Sequence, residues 1–317
     1  MKCRKCGRPA VFNMRQHKLA LCEVHYPEWF VTQTQRAIEK YRMFTPNDRV
    51  LVAVSGGKDS LALWDVLLQL GYHADGLYID LGIGLETDDG AGYSSASREK
   101  AEIFAAQRPD ARPVLRMVDL KAEYGETLPE VARRVRRGRG KPCSVCGLVK
   151  RHVMNRVARD GGYDILATGH NLDDEVAVLF GNVLHWQTGY IARQAPVLPA
   201  SSEGLARKVK PFCRLYERET AAYTLITGIN YIYDECPHAV GATSLRYKGI
   251  LNQMEEKSPG TKLQFYLGFL RARKEGFFCE LAEEAELRPC TNCGQPTSAP
   301  GLCAFCRLWR GMEEAQV

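Results

Sequence analysis

The sequence predicts an α/β fold: a doubly wound parallel sheet with a small cysteine-rich module at each end of the chain. Three observations carry this. Short β-branched runs alternate with helix-length amphipathic segments between residues 49 and 184, the order of a parallel sheet covered on both faces. The first junction, VLVAVSGGKDSLAL, is an apolar run, a Gly-rich turn and a second apolar run. Cysteines gather in two four-ligand sets at the termini.

The elements follow in order. Cys3, Cys6, Cys22 and His25 form C-x2-C-x15-C-x2-H, two tight ligand pairs joined by a loop, as a tetrahedral Zn²⁺ needs. Arg49–Val54 is a strand buried on both faces. Lys58–Leu70 has helical spacing of Leu61, Trp64, Leu67 and Leu68, and Gly71 suits its C-terminal cap. Ala74–Ile79 is a second strand, Ser94–Arg108 a helix and Pro113–Val118 a third strand. Cys146–Gly161 is a basic helix, Tyr163–Thr168 a fourth strand and Leu172–Leu184 a helix. Pro196–Lys208 has the composition of an irregular loop. Helices are expected over Arg218–Gly228, Leu245–Ser258 and Gly260–Phe278. Cys290, Cys293, Cys303 and Cys306 form C-x2-C-x9-C-x2-C, a second closed zinc set.

The chain has 317 residues, 25% charged and 45% apolar, ordinary values for a folded protein. No apolar run reaches the ~18 residues that span a bilayer, and MKCRKCGRPA has no apolar signal core. A cytoplasmic protein with no membrane partner is expected. There, twelve cysteines are better explained as metal ligands than as disulfides. The net charge of +6 is mild, but RRVRRGRGK, Arg133–Lys141, places six cations in nine residues. Alone, that run is either a solvated loop or a polyanion contact.

The Gly-rich turn offers free N–H groups at a helix N-terminus, which is a phosphate cradle. Gly56 and Gly57 permit close backbone approach, and Ser55 and Ser60 add hydroxyls. It is not a Walker A loop, since Lys58 is followed by Asp59 and position 52 is Val. It is not G-x-G-x-x-G either. The plain alternative is an ordinary βα turn.

A third cysteine group comprises Cys143 and Cys146, in GKPCSVCGLVKR, and Cys236, in DECPHA. Three thiolates suit a [4Fe–4S] cluster with one iron open. They equally suit persulfide chemistry with a resolving cysteine, or a plain structural C-x-x-C. Lys150 lies one helical turn past Cys146, on the same face. Cys213 and Cys279 match no motif and are read as buried thiols.

SGGKDS resembles the PP-loop of the N-type ATP pyrophosphatases. ATGHNLDDE, Ala167–Glu175, is a second matching segment, and LYIDLGIG ends the second strand where adenine and ribose would lie. In a doubly wound sheet these strand ends meet at one crevice. With the paired zinc modules, the internal C-x-x-C and the later cysteine before proline, nearly the whole chain resembles the tRNA 2-thiouridine synthetases of the TtuA type. The related thiocytidine synthetases share the middle but lack the paired modules.

The resemblance implies a PP-loop ATP pyrophosphatase domain and four divisions: an N-terminal zinc module over 1–30, the catalytic domain over 31–240, a helical extension over 241–285 and a zinc ribbon over 286–317. It implies that ATP adenylates the C2 oxygen of a tRNA uridine. Sulfur from a [4Fe–4S] cluster on Cys143, Cys146 and Cys236 then displaces AMP. A ubiquitin-like carrier with a C-terminal thiocarboxylate would deliver that sulfur, and the enzyme would be a homodimer. ATP and Mg²⁺ are expected at Ala53, Ser55, Gly56, Gly57, Lys58, Asp59, Ser60, Ile79, Lys150, Gly169 and Asp174. Asp59, Lys150 and Asp174 are expected to act with the three cysteines in catalysis. Arg133, Arg134, Arg136, Arg137, Arg139 and Lys141, at the mouth of such a site, are expected to touch tRNA phosphates. The residues leave the target uridine open between T-loop and wobble positions. Two other readings compete: a PP-loop synthetase or amidotransferase acting on a small molecule, and a non-catalytic zinc-ribbon nucleic-acid binder. The first leaves the basic run and three-cysteine set unused, and the second leaves SGGKDS unexplained.

Overall fold

The chain opens with a short hairpin of β1 (Phe12–Met14) and β2 (Leu19–Leu21), and its last ligand, His25, begins α1 (His25–Lys40). The structure, a computed structural model, describes residues 1–84, 92–135, 142–278 and 286–310. Helix α1 runs through the boundary expected at residue 30. The alternating region supplies β3 (Val50–Val54), α2 (Lys58–Gln69), β4 (Ala74–Asp80), α3 (Tyr93–Ala106) and β5 (Leu115–Asp119).

Two short helices come next that the sequence pattern does not separate: α4 (Leu120–Tyr124) and α5 (Leu128–Arg134). Each has a local cause. The Asp119 side chain caps α4, and Thr127 and Glu130 form a reciprocal capping box on α5. The basic helix begins earlier than expected, as α6 (Pro142–Asp160), so Cys143 also lies on it. Proline is well tolerated at a first helical position because that N–H needs no partner.

Then follow β6 (Ile165–Thr168), α7 (Leu172–Leu184), α8 (Thr188–Arg193), β7 (Val197–Leu198) and β8 (Arg207–Val209). The stretch Pro196–Lys208 is therefore not all irregular: both strands join the sheet. Helices α9 (Glu217–Thr227), α10 (Thr243–Lys257) and α11 (Thr261–Lys274) precede the C-terminal hairpin of β9 (Arg288–Pro289) and β10 (Pro296–Thr297), and α12 (Ala304–Arg310).

The main sheet has the order β5-β4-β3-β6-β8-β7, parallel except for β7 at the edge. The chain winds outward from β3 to β5 and then restarts at β6 on the other side of β3. The switch point between β3 and β6 opens a crevice above their carboxyl ends.

Strand period 2 divides β3 between two cores. Val50, Val52 and Val54 join one apolar cluster with α2, α7 and α9, and Leu51 joins the other with α5 and α6. Each terminal module is sewn into one of them. Cys3, Met14, Leu21, Tyr26 and Phe30 belong to the first cluster, and Cys290, Phe305 and Leu308 to the second.

Candidate functional site

Above the switch point lies a cavity of about 370 Å³. The ends of β3, β4 and β6 and one face of α6 form its wall. The Gly-rich turn forms one edge and folds on itself. Ser55 N–H donates to Ser60 Oγ at 3.0 Å, and Ser60 Oγ donates to the Gly57 carbonyl at 3.0 Å. Gly56 has φ +72°, and a Cβ there would stand 2.2 Å from the Ser97 carbonyl oxygen, so only glycine lets the turn reach α3. Gly169 is constrained by space alone, because a Cβ would meet the Asp59 carbonyl at 2.8 Å.

The first turn of α7 carries three acids with three fates. Asn171 caps the helix reciprocally with Asp174, at 3.1 Å in both directions. Asp173 is buried against Lys262 and accepts the Glu217 N–H at 2.9 Å. Glu175 is buried and takes Lys210 at 2.7 Å. Of the three, Asp174 lines the cavity. Asp59 stands beside it and accepts from Asn171 Nδ2 at 3.0 Å. Burial pushes the Asp59 carboxyl up, and the Lys58 ammonium opposes that.

The cysteine wall comes from two elements. Cys146 and Lys150 face the cavity from α6, and Cys236 faces it from the loop before Pro237. Burial pushes the Cys146 thiol up, with Lys150 pulling the other way. Cys143 is more exposed and donates to the His238 carbonyl at 3.2 Å, tying α6 to the Cys236 loop.

Both terminal sets close. Each places its four ligand atoms within 4.8 Å of one another. Cys6 and Cys22 sulfurs are 3.7 Å apart, and Cys293 and Cys303 sulfurs 3.8 Å. A tetrahedral ion with Zn–S near 2.3 Å sets that spacing at about 3.8 Å. Cys143, Cys146 and Cys236 do not form such a set, although all three are described.

Of the residues expected at the nucleotide, Ala53, Ser55, Asp59, Ser60, Ile79, Lys150, Gly169 and Asp174 line the cavity. Gly56 and Gly57 belong to the turn behind it. Lys58 turns toward an adjoining cavity of about 470 Å³. Its ammonium donates to Asp59 at 3.0 Å and to Glu217 at 2.8 Å. Lys248 on α10 in turn donates to Glu217 at 2.9 Å and sits 2.6 Å from Asp174. Burial would raise the Glu217 carboxyl, but Lys248 and Lys58 overcome it and hold it at about 2.

Residues 2–27 match the family model described as 2-thiouridine synthetase TtuA, N-terminal LIM domain, and residues 48–185 match the tRNA methyl transferase HUP domain. The chain is 52% identical to a tRNA-5-methyluridine(54) 2-sulfurtransferase from Thermus thermophilus, over 98% of this chain and 91% of that one. The chain belongs to the tRNA 2-sulfurtransferase family. A Pyrococcus horikoshii protein of the same description is 44% identical over 98% of this chain and 94% of its own length. The fold is shared with the U34-tRNA thiolase NcsA from Methanococcus maripaludis, solved with its [4Fe-4S] cluster, at a TM-score of 0.72 and 23% identity over 86% of this chain and 88% of that one.

In this sulfurtransferase the basic run divides. Arg133 and Arg134 end α5, and Arg134 pairs with Glu126 at 2.6 Å. Arg136, Arg137, Arg139 and Lys141 lie outside the described residues, as does Cys279. Cys213 is fully buried, and burial pushes its thiol far up. Sequence reasoning missed Glu217 and Lys248. Glu217 opens α9 beside Arg218 and Glu219, Lys248 follows Arg246 on α10, and no spacing sets either apart from its charged neighbours.

Proposed function

We propose that this sulfurtransferase adenylates the C2 oxygen of the uracil of a tRNA 5-methyluridine and replaces that oxygen with sulfur. The observation that carries the reading is the convergence of the Gly-rich turn, Asp174 and the Cys146–Lys150–Cys236 wall on one cavity. The C2 oxygen attacks the ATP α-phosphorus, the bond to the β-phosphate breaks, and pyrophosphate leaves. A sulfur nucleophile then bonds to C2, and AMP departs with the former C2 oxygen. Carbonyl oxygen is a poor leaving group, and AMP is a good one.

The chain's own groups fit each demand. N–H groups at the start of α2, with Ser55 and Ser60, suit the phosphates. Asp59 and Asp174 suit Mg²⁺ carried on ATP, which favours one or two carboxylates plus phosphate oxygens. Lys150, on the cavity wall, suits negative charge growing near an α-phosphate. Leu77, Leu81, Ile83 and Met154 give the same cavity an apolar wall. The three thiols spread wider than a single tetrahedral ion allows, which suits a [4Fe–4S] cluster. When bound, such a cluster supplies an iron without a protein ligand, where sulfur can be held.

The same reading includes a thiocarboxylate-bearing ubiquitin-like carrier as sulfur donor, a homodimer, a cytoplasmic location and the four-part division of the chain. The resemblance supports these. No helix among the described residues is long and apolar enough to cross a membrane. The choice of 5-methyluridine at position 54 is supported by relatives of that description at 42–52% identity, against 29% for a cytoplasmic tRNA 2-thiolation protein from Drosophila sechellia.

The test is substitution of Cys143, Cys146 and Cys236 by alanine, one at a time. Each variant is expected to lose thiolation and iron while still binding ATP. Normal thiolation by all three would overturn the assignment.

A further inference from the structure

Two carboxylates of the site share a lysine from outside the sheet. Lys248 lies on α10, 31 residues beyond Glu217. Starting from it, side chains and one backbone N–H close a ring. Lys248 Nζ reaches Asp174 Oδ1 at 2.6 Å. Asp174 Oδ2 accepts from Asn171 N–H, and Asn171 Nδ2 donates to Asp59 Oδ1 at 3.0 Å. Asp59 Oδ2 accepts from Lys58, which also donates to Glu217 Oε1 at 2.8 Å. Glu217 Oε2 accepts from Lys248 at 2.9 Å and completes the circuit.

Each oxygen of Glu217 thus holds a different lysine. Asp174 has two fixed partners, one on each oxygen, and so a single orientation at the cavity wall. Lys248 can be placed this accurately because α10 lies tight on α7. Gly181 leaves room for the Tyr247 ring, which would stand 2.9 Å from a Cβ there. The Lys248 side chain is 18% exposed, so its pairs are sheltered from most of the screening that weakens surface pairs.

We propose that Lys248 is a positioning residue for nucleotide activation: it holds the Asp174 carboxylate at the cavity wall and, through Glu217, fixes the Lys58 ammonium beside the Gly-rich turn. The helices beyond residue 241 thereby complete the site. The inference rests on the reading that the cavity binds ATP. Three acids and two lysines leave the ring with one net negative charge. Loss of Lys248 would make it two, free one oxygen of Glu217 and leave Asp174 with one partner.

The experiment measures ATP·Mg²⁺ binding by calorimetry and tRNA-dependent pyrophosphate release, on wild type, Lys248→Met, Lys248→Arg and Glu217→Gln. Misplacing a site group by about 1 Å can cost on the order of 100-fold in rate. Lys248→Met is therefore expected to lose roughly 10- to 100-fold in kcat, with a smaller change in ATP affinity and an unchanged zinc content. Lys248→Arg keeps a cation that can bridge both carboxylates and should recover part of the loss. If Lys248→Met does not fold, Glu217→Gln decides, because it keeps the side-chain shape and removes the charge the two lysines share. It should lower kcat in the same way. Turnover within twofold of wild type in either folded single variant overturns the proposal. Failure of the wild-type protein to bind ATP overturns the nucleotide reading itself, and the calorimetric control shows that separately.

Discussion

Replacing Gly56 by alanine isolates what the Gly-rich turn does. Two effects add at this position. The backbone φ of +72° costs an L-residue roughly 1–2 kcal/mol. The new methyl would also stand 2.2 Å from the Ser97 carbonyl oxygen, well over ~1 Å inside ordinary van der Waals separation. Ser97 cannot easily retreat, since its hydroxyl lies 2.7 Å from Tyr78 Oη and donates to the Ser94 carbonyl at 3.0 Å. The turn must then move away from α3, and overpacking of this kind costs a further ~1–3 kcal/mol. Gly71→Ala is the control. Its φ is +78°, but nothing lies within 4 Å of the added methyl, so it carries the backbone effect alone. Urea unfolding should show a loss of about 1–2 kcal/mol for Gly71→Ala and about 2–5 kcal/mol for Gly56→Ala. Calorimetry should show ATP affinity intact in the control and at least tenfold weaker in Gly56→Ala. Equal stability losses with unchanged ATP binding would refute the close approach of the turn to α3 and its role as the phosphate cradle.

Two further outcomes are expected. His152 is buried between Gln295 and Phe305, and burial, with Arg156 and Arg159 nearby, holds it down at about 4. A histidine kept neutral by folding gives stability that is full above its unfolded value near 6.5 and drains as pH falls toward 4. The wild type should therefore lose on the order of 3 kcal/mol more than His152→Gln across that window, read from denaturation at several pH values; parallel curves would show that His152 titrates normally. Neutralising Arg136, Arg137, Arg139 and Lys141 together should weaken tRNA binding and reduce the salt slope by about one for each phosphate that no longer meets a cation. An unchanged slope in filter binding would make the run a plain solvated loop.

The parts of the molecule that sequence made legible share a physical reason. Val50–Val54 and Ile165–Thr168 are buried on both faces, so neither shows the polar alternation of a half-exposed strand. The terminal ligand sets are legible because the two members of each pair are three positions apart within one turn. The legible part of the site, Ser55–Ser60 with Asp174, sits at strand ends that the topology must bring together. What stayed hidden depends on long-range packing. Strands β7 and β8 are two and three residues long, too short for period 2 to show. The direction of the Lys58 side chain is set by Glu217 on a distant helix. Lys248 is one lysine on an ordinary amphipathic helix, and only the seat of α10 on α7 carries it to Asp174.

The seat of the C-terminal module on α6 has a consequence in time. Gln295, just past the Cys290–Cys293 pair, has its Nε2 3.0 Å from His152 Nε2, and Asn155 Nδ2 donates to its Oε1 at 3.1 Å. These partners are 143 and 140 residues apart in the chain. At ~5–20 residues per second of synthesis, α6 leaves the ribosome roughly 7–30 s before its cover exists. The helix bearing Cys143 and Cys146 spends that interval without its outer cover, held by its contacts with α5, β4 and β6.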